Sequence, residues 1–544
     1  MNEVELYMNQ KGVEYRTIDK ARAGRIYERL KAHIAPPKCT IQVLGTNGKG
    51  STGRFLALMI MQNGANVLHF TSPHIFSFSE RFYKNGAIIG DDELTNAHRF
   101  LQGFDFMAEC SYFEYATFLA CVLAQGVDYL ILEAGVGGEL DSTSVIPREM
   151  CIFSIIDYDH TEILGNSIEE IATTKLNAVW YPNFVPKMVL GAQKYEIVEK
   201  IAKEIAKEHS IEFYSVESHK NSSLGASFAL VENFGNQQTP SLVLSQNFLQ
   251  DTKSPPQILE LDSSESSNSN ESVESSLQGR IADSHEAIQK NQSARSANPI
   301  KSFCYFWLIP KVESPLPLNS NLLVARMGSG AGGAALLRKE TSESNAKSVD
   351  CFSDELPRND ESVDCHESLR DSRNDGVEKY LQKHRLADFL AQNLNLALKA
   401  LEILGLKCDF KTLSTLDLRG RFEQIAPNII IDVGHNQNAA FAIKQNLGQK
   451  KVILVYNSYF QKNISEILGI LKDNILRVEI LRVADNPRII EQKTLERTLD
   501  SLGIAYQNFG GVDLIDSSKN YLVFGSFSVV EAFMREFISK ANRQ

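Results

Sequence analysis

The segment GTNGKGST, Gly45–Thr52, constrains this chain more than any other. It follows a short apolar run, CTIQVL, which reads as a strand, and leads into a helix with Phe55, Leu56, Met59 and Ile60 on one face. Successive N–H groups of a glycine-rich loop can wrap an anion, and the next helix points its positive end at the same place. Lys49 adds a mobile cation and Ser51 a hydroxyl suited to Mg2+. The strict phosphate-loop pattern G-x-x-x-x-G-K-[ST] is not met, because Val43 stands at its first glycine; the chain carries the shorter G-x-x-G-K-G-S. A glycine–lysine loop by itself is often only a turn. The strand before it and the helix after it favour the anion-binding reading.

Three more segments repeat the arrangement. The strand NVLHF runs into Thr71-Ser72-Pro73-His74, and proline there stops the strand. The strand DYLILE ends in Glu133, followed by the glycine turn AGVGGELDST. The strand MCIFSIID delivers Asp157, Asp159 and His160, after which Ser167 and Glu170 cap a helix running through Lys175. Ser51, Ser72, Glu133 and His160 thus each lie beyond the end of a different apolar strand. Ligands of an open parallel α/β sheet bind outside the carboxyl ends of its strands. Each residue has a plainer explanation alone: a turn serine, a solvated acid, a packing histidine. Their convergence on one edge carries the inference.

A chain of 544 residues should form two or more domains. Residues 1–215 read as one α/β unit. Residues 216–376 read as a low-complexity insert, expected to be largely disordered: DSSESSNSNESVESS (262–276) has almost nothing to bury, and SVDCFSDELPRND is loosely echoed by SVDCHESLRDSRND. One apolar island, CYFWLIP (304–310), interrupts it. Strand–helix alternation resumes over 377–544, with the strands NIIIDV, KVILVY, VEILRV and YLVFGS, and Asp432 and His435 again at a strand end. The net charge of −11 argues against a nucleic-acid partner, which would demand a basic stripe. The eight cysteines are scattered without a C-x-x-C pair, as suits a reducing compartment. The acidic start MNEVELYMNQ is not a signal peptide, and FLACVLAQGVDYLILEAGV is too short and too interrupted to span a bilayer. A cytoplasmic protein without membrane association is expected.

Taken together, these segments resemble the folylpolyglutamate synthase/dihydrofolate synthase family of the Mur-ligase-like superfamily. The resemblance rests on GTNGKGS at 45–51, TSPH at 71–74, Glu80-Arg81 and Asn85-Gly86. It extends to E-x-G-x-G-G-x-x-D-x-T from Glu133 to Thr143, D-H-x-x-x-L-G at 159–165, Gly420-Arg421, and Asp432-Val433-Gly434-His435-Asn436. It implies a P-loop-type, parallel-sheet ATP-binding domain and a smaller C-terminal, Rossmann-like α/β domain. It also implies a monomer using ATP and Mg2+ to join L-glutamate to dihydropteroate or reduced folates through an acyl phosphate. By the resemblance, Thr46, Asn47, Gly48, Lys49, Gly50, Ser51, Asn395, Arg421, Asp432 and His435 contact the nucleotide. Ser51 and Glu133 hold one Mg2+, and Ser72, Glu133 and His160 a second. His160 and Lys175 are the catalytic pair, with Lys175 at the family's carbamylated position.

The chain departs from the family at several places. Glu139 stands at a usual arginine, Ser144 at a common asparagine, Arg419 at the proline of P-G-R, and Thr174, Leu176 and Asn177 flank Lys175. Ala391 replaces the histidine of H-Q-x-x-N. These changes bear on substrate preference more than on nucleotide binding. Two other readings stay open: a cell-wall precursor ligase, which usually shows G-K-T-[ST] where this chain has Gly50, and an ATP-binding module without catalysis.

Overall fold

The computed structural model describes residues 2–12, 19–180, 184–216, 375–484 and 486–542. The low-complexity insert predicted for 216–376 therefore lies almost wholly outside the described residues. The remainder of the chain forms one compact unit built around two sheets.

The first sheet has eight strands: β1 (Cys39–Leu44), β2 (Val67–Phe70), β3 (Phe82–Lys84), β4 (Ala87–Ile88), β5 (Tyr129–Glu133), β6 (Met150–Phe153), β7 (Lys187–Leu190) and β8 (Phe213–Ser215). Their spatial order is β4-β3-β2-β5-β1-β6-β7-β8. All neighbours are parallel except the β2–β3 and β3–β4 pairs. The central strands are buried on both faces, which is why they read as continuous apolar runs rather than alternating ones. From β1 the chain crosses to β2 on one side, and from β5 it returns to β6 on the other. The direction of winding therefore changes beside the carboxyl end of β1, the place where such sheets bind ligands. The β3–β4 hairpin was not anticipated, although Asn85-Gly86 marks it: both residues have positive φ, 48° and 95°.

Helix α1 (Lys49–Gln62) follows β1, and its residues Gly50–Ile60 are buried throughout. One side faces the sheet. The other is covered by chain from beyond the insert: residues 375–384 are helical, and the helix Leu390–Ile403 packs along α1. The polypeptide thus completes the first layer before entering the second sheet. Helix α2 (Ile168–Leu176) begins at the expected capping box, Ser167 with Glu170. The Leu390–Ile403 helix is α3 below.

The second sheet has the order β13-β12-β11-β14-β10-β9, comprising β9 (Glu423–Ala426), β10 (Ile429–Ile431), β11 (Val452–Tyr456), β12 (Ile475–Ile480), β13 (Tyr506–Asn508) and β14 (Tyr521–Phe524). It is parallel except for β9. Helices α4 (Gln437–Leu447) and α5 (Phe527–Ala541) lie in separate apolar layers on it. No helix among the described residues is long and apolar enough to cross a membrane.

Leu394 of α3 is fully buried in the layer that contains Phe55 and Leu56 of α1. Truncation would leave a cavity between the two helices. Leu394→Ala should lower the free energy of unfolding by about 3 kcal/mol, read from the denaturant midpoint; an unchanged midpoint would show that α3 does not stabilise the first sheet.

Candidate active site in a cleft between two sheet edges

Beyond Leu44 the chain turns at Gly45, whose φ is +128°; a Cβ there would stand 2.1 Å from the Ser154 hydroxyl oxygen. The loop is stapled to the segment after β6: Thr46 N–H donates to the Ile155 carbonyl at 2.8 Å, and the Thr46 hydroxyl donates to the Asp157 carbonyl at 2.9 Å. Gly48 is the N-cap of α1 in left-handed conformation, and no side chain caps the helix. The first-turn amides therefore remain available to an anion. Lys49 Nζ donates to the Thr46 carbonyl at 3.2 Å.

Glu133 is buried at the end of β5. Its Oε2 accepts from the Thr71 hydroxyl and from Ser72 N–H at 3.0 Å. A Cβ on Gly50 would stand 3.0 Å from Thr71 Oγ1 and 3.1 Å from Glu133 Oε2. Glycine at position 50, the departure from the strict phosphate-loop pattern, is what lets this carboxylate approach the loop.

The glycine turn after β5 has a different task. Asp141 accepts from the N–H groups of Gly135, Val136 and Thr143, fixing the turn. Gly138 then packs on the last turn of α2, where a Cβ would come within 2.5 Å of the Lys175 Cα and carbonyl oxygen. Lys175 is consequently buried, with Nζ donating to the Gly45 carbonyl at 3.2 Å. Burial, helped by the charge of Lys49, pulls its ammonium down to about 7. The helix-surface environment expected of an ordinary lysine is not what this residue has. His160 lies seven residues past the end of β6, in left-handed conformation (φ +50°), at the start of the short helix Thr161–Leu164. Burial lowers its imidazole to about 3 despite the adjacent Asp159 carboxylate, so it is neutral.

The second edge faces this one. Asp432 is buried and accepts from Phe422 N–H at 2.8 Å and Gly434 N–H at 2.7 Å. Burial pushes its carboxyl up to about 6 against those hydrogen bonds and the nearby Arg421. Arg421 donates to the carbonyls of Arg419 and Gly420, both at 3.3 Å, and lies over the Phe527 ring. Burial works against its charge, while Asp432 and Glu133 favour it. His435 donates its Nδ1–H to the Val433 carbonyl at 3.3 Å and is held down to about 4, by burial and then by Lys462.

Side chains cross between the edges. Asn47 and Asn436 exchange reciprocal amide hydrogen bonds of 3.1 and 3.0 Å. Asp159 pairs with Lys462 and lies 3.8 Å from His435 Nε2. Burial opposes ionisation of Asp159, yet His160, Lys462 and His435 hold its carboxyl well below the usual range. The enclosed space is about 680 Å³, within the range of small-molecule sites.

Thr46, Asn47, Gly48, Lys49, Gly50, Ser51, Ser72, Glu133, His160, Lys175, Arg421, Asp432 and His435 all line this cleft. Asn395 does not. The cleft face of α3 presents Gln392 and Asn393, and a Cβ on Gly48 would stand 2.2 Å from Asn393 Oδ1; Asn395 lies one turn beyond Gln392. Of these two asparagines, Asn393 is the one that meets the loop at Gly48. Lys462 was not foreseen at all, since its pairing with Asp159 spans 303 residues. Among the described residues no three His, Cys, Asp or Glu side chains gather as a metal-binding group. That suits Mg2+, which keeps several waters and needs only one or two carboxylates besides phosphate oxygens. Glu133 and the Ser51 and Ser72 hydroxyls are oxygen donors suited to such an ion, whereas the imidazole nitrogen of His160 is not a ligand it favours and enters the set only through the family resemblance.

The depressed ammonium of Lys175 has a measurable consequence. Between about pH 7 and its ordinary 10.5, the unfolded chain binds a proton here that the folded chain does not, so stability rises with pH over that window. In bicarbonate-free buffer, wild type should gain about 2 kcal/mol relative to Lys175→Met between pH 7 and pH 9. Parallel denaturation profiles would show that the lysine is solvated.

No family model matches the chain. Helicobacter pylori folylpolyglutamate synthetase is 30% identical in a superposition covering 98% of each chain, with a TM-score of 0.58. E. coli FolC in complex with DHPP and ADP superposes over 100% of this chain and 99% of that one with a TM-score of 0.59; at 18% identity this likeness carries the fold. The dihydrofolate synthase/folylpolyglutamate synthase of Bacillus subtilis is 35% identical over 178 residues, which are 29% of this chain and 40% of that relative. The chain belongs to the folylpolyglutamate synthase/dihydrofolate synthase family.

Proposed function

We propose that the protein is an ATP-dependent ligase that adds L-glutamate to dihydropteroate, to reduced folates, or to both. One observation carries this reading. An uncapped helix start, the cations Lys49 and Arg421, and the carboxylate of Glu133 converge from two sheet edges on one cleft. The constellation suits phosphoryl transfer, where the protein contributes mainly positioning and charge neutralisation.

In the reaction, a carboxylate oxygen of the acceptor bonds to the γ-phosphorus of ATP, and the bond to the bridging oxygen breaks to release ADP. The amine of glutamate then attacks the acyl carbon, phosphate leaves with the C–O electron pair, and the amine loses a proton. The amides at Gly48–Ser51 and the Lys49 ammonium cradle the phosphates. Arg421 reaches them from the second edge and takes up charge as it spreads over the γ-oxygens. Asp432, His435 and Asn393 contact the rest of the nucleotide. Mg2+ held at Ser51 and Glu133, with a second ion at Ser72, Glu133 and His160, would neutralise phosphate charge. Lys175 is neutral enough near pH 7 to take up CO2 with loss of a proton, giving the carbamate the family resemblance implies. We read the protein further as a cytoplasmic monomer with small-molecule substrates only.

Purified protein with Mg2+, ATP and glutamate should release ADP when dihydropteroate or a reduced folate is added, and Arg421→Ala should lower kcat by about 10³. Absence of release with every such acceptor would sink the proposal. A UDP-linked precursor outcompeting folates would mark a cell-wall ligase, and ATP binding without glutamate-dependent turnover a non-catalytic module.

A further inference from the structure

Helix α1 carries an arginine among otherwise apolar neighbours. Arg54 is almost fully buried, so its charge requires partners. They come from two other segments. Nε donates to His69 Nδ1 on β2 at 3.2 Å. Nη1 donates to Asp417 Oδ1 at 2.7 Å and to the Asp417 carbonyl at 3.4 Å. The guanidinium lies 3.7 Å from the centroid of the Tyr83 ring, whose hydroxyl is pushed up to about 12 by burial and by the Asp417 carboxylate. Because His69 accepts through Nδ1, its proton sits on Nε2. That nitrogen points at Gly53, where a Cβ would be 2.4 Å away, so glycine at this turn of α1 makes the room the ring needs.

Each of the three segments ends in the cleft. Helix α1 starts at Lys49. Strand β2 leads from His69 to Thr71 and Ser72, both bonded to Glu133. Asp417 leads through Leu418, which lies 3.4 Å from where a Gly50 Cβ would be, to Gly420 and Arg421. Asp417 belongs to the connector between α3 and the second sheet.

We propose that Arg54 is a positioning residue. Through Asp417 it fixes the connector from which Arg421 enters the cleft, so that Arg421 faces the phosphates held at the start of the same helix. The inference rests on the ligase reading for its consequence in turnover, but the latch itself is tested without nucleotide or substrate. No residue of the latch touches substrate. Its effect is transmitted by where the connector is held.

Asp417 is 41% exposed, so in its absence water can reach the Arg54 guanidinium, which keeps its His69 and Tyr83 contacts. In ligand-free protein, Asp417→Ala should speed amide exchange over residues 415–421 about ten-fold while exchange in β1 and β5 stays slow. Titration with Mg2+ and a non-hydrolysable ATP analogue should show Asp417→Ala and Arg421→Ala each weakening binding, and the double variant no weaker than Arg421→Ala alone. In turnover, Asp417→Ala should lower kcat about ten-fold with KM for the acceptor unchanged, and Arg54→Lys should recover part of the loss suffered by Arg54→Met. Unaltered exchange over 415–421 would overturn the latch. Additive losses in the double variant would overturn its action through Arg421. Failure of the wild-type protein to turn over any folate would instead count against the ligase reading and leave the exchange result to decide the latch.

Discussion

The start of the Lys49–Gln62 helix is buried and yet left without a side-chain cap, and the rest of the structure is arranged around that condition. Unpaired amides inside a protein are costly unless something answers them. Here the surroundings supply cations and one carboxylate rather than a cap, and they can do so only because the backbone is reachable. Gly45 admits Ser154, Gly48 admits Asn393, Gly50 admits Glu133 and Thr71, and Gly53 admits His69. Four glycines within nine residues thus convert a helix start into the meeting point of four segments.

That crowding also explains why the two halves of the chain are interdependent. The loop needs α3 over its back and Arg421 in front, and both come from beyond residue 375. Neither sheet edge carries a complete site. The reciprocal amides of Asn47 and Asn436, the Asp159–Lys462 pair and the Arg54–Asp417 pair join segments separated by about 300 residues or more in sequence. Such contacts set the position of Arg421 and His435 relative to Lys49 and Lys175 more directly than any local turn does.

Much of the first edge was legible because strands, caps and turns leave local marks. The run CTIQVL, the Ser167–Glu170 box and the polar residues after each strand each follow from neighbours in sequence. That Asn393 rather than Asn395 meets the loop was not legible, because the two lie on different faces of one helix and which face meets the loop depends on how α3 docks on α1, a packing fact with no local signature. Burial of Lys175 was likewise hidden: an amphipathic pattern assigns a lysine to solvent, and only the approach of Gly138 to its backbone places it inside. Asp159 and Lys462 form a pair that no spacing rule connects. Contacts within a turn or two are written in the pattern of residue types, and contacts that close a cleft are written in the topology.

The distribution of charge within the cleft then gives the arrangement its direction. Although the chain as a whole carries −11, its acids at this site are already engaged. Asp159 is held by Lys462 and His435, Asp432 by the Phe422 and Gly434 amides, Asp141 by its own turn, and Glu133 by Thr71 and Ser72. Lys49, Lys175 and Arg421 instead donate to backbone carbonyls, which offer a dipole but no compensating charge. Burial accordingly disfavours the charged forms of Lys175 and Arg421. An anion at the start of α1 would offset that cost for Arg421 and satisfy the helix amides at once. The strength of the site for phosphate therefore comes from charges kept in place by contacts that do not neutralise them, which is electrostatic preorganisation in its plain sense.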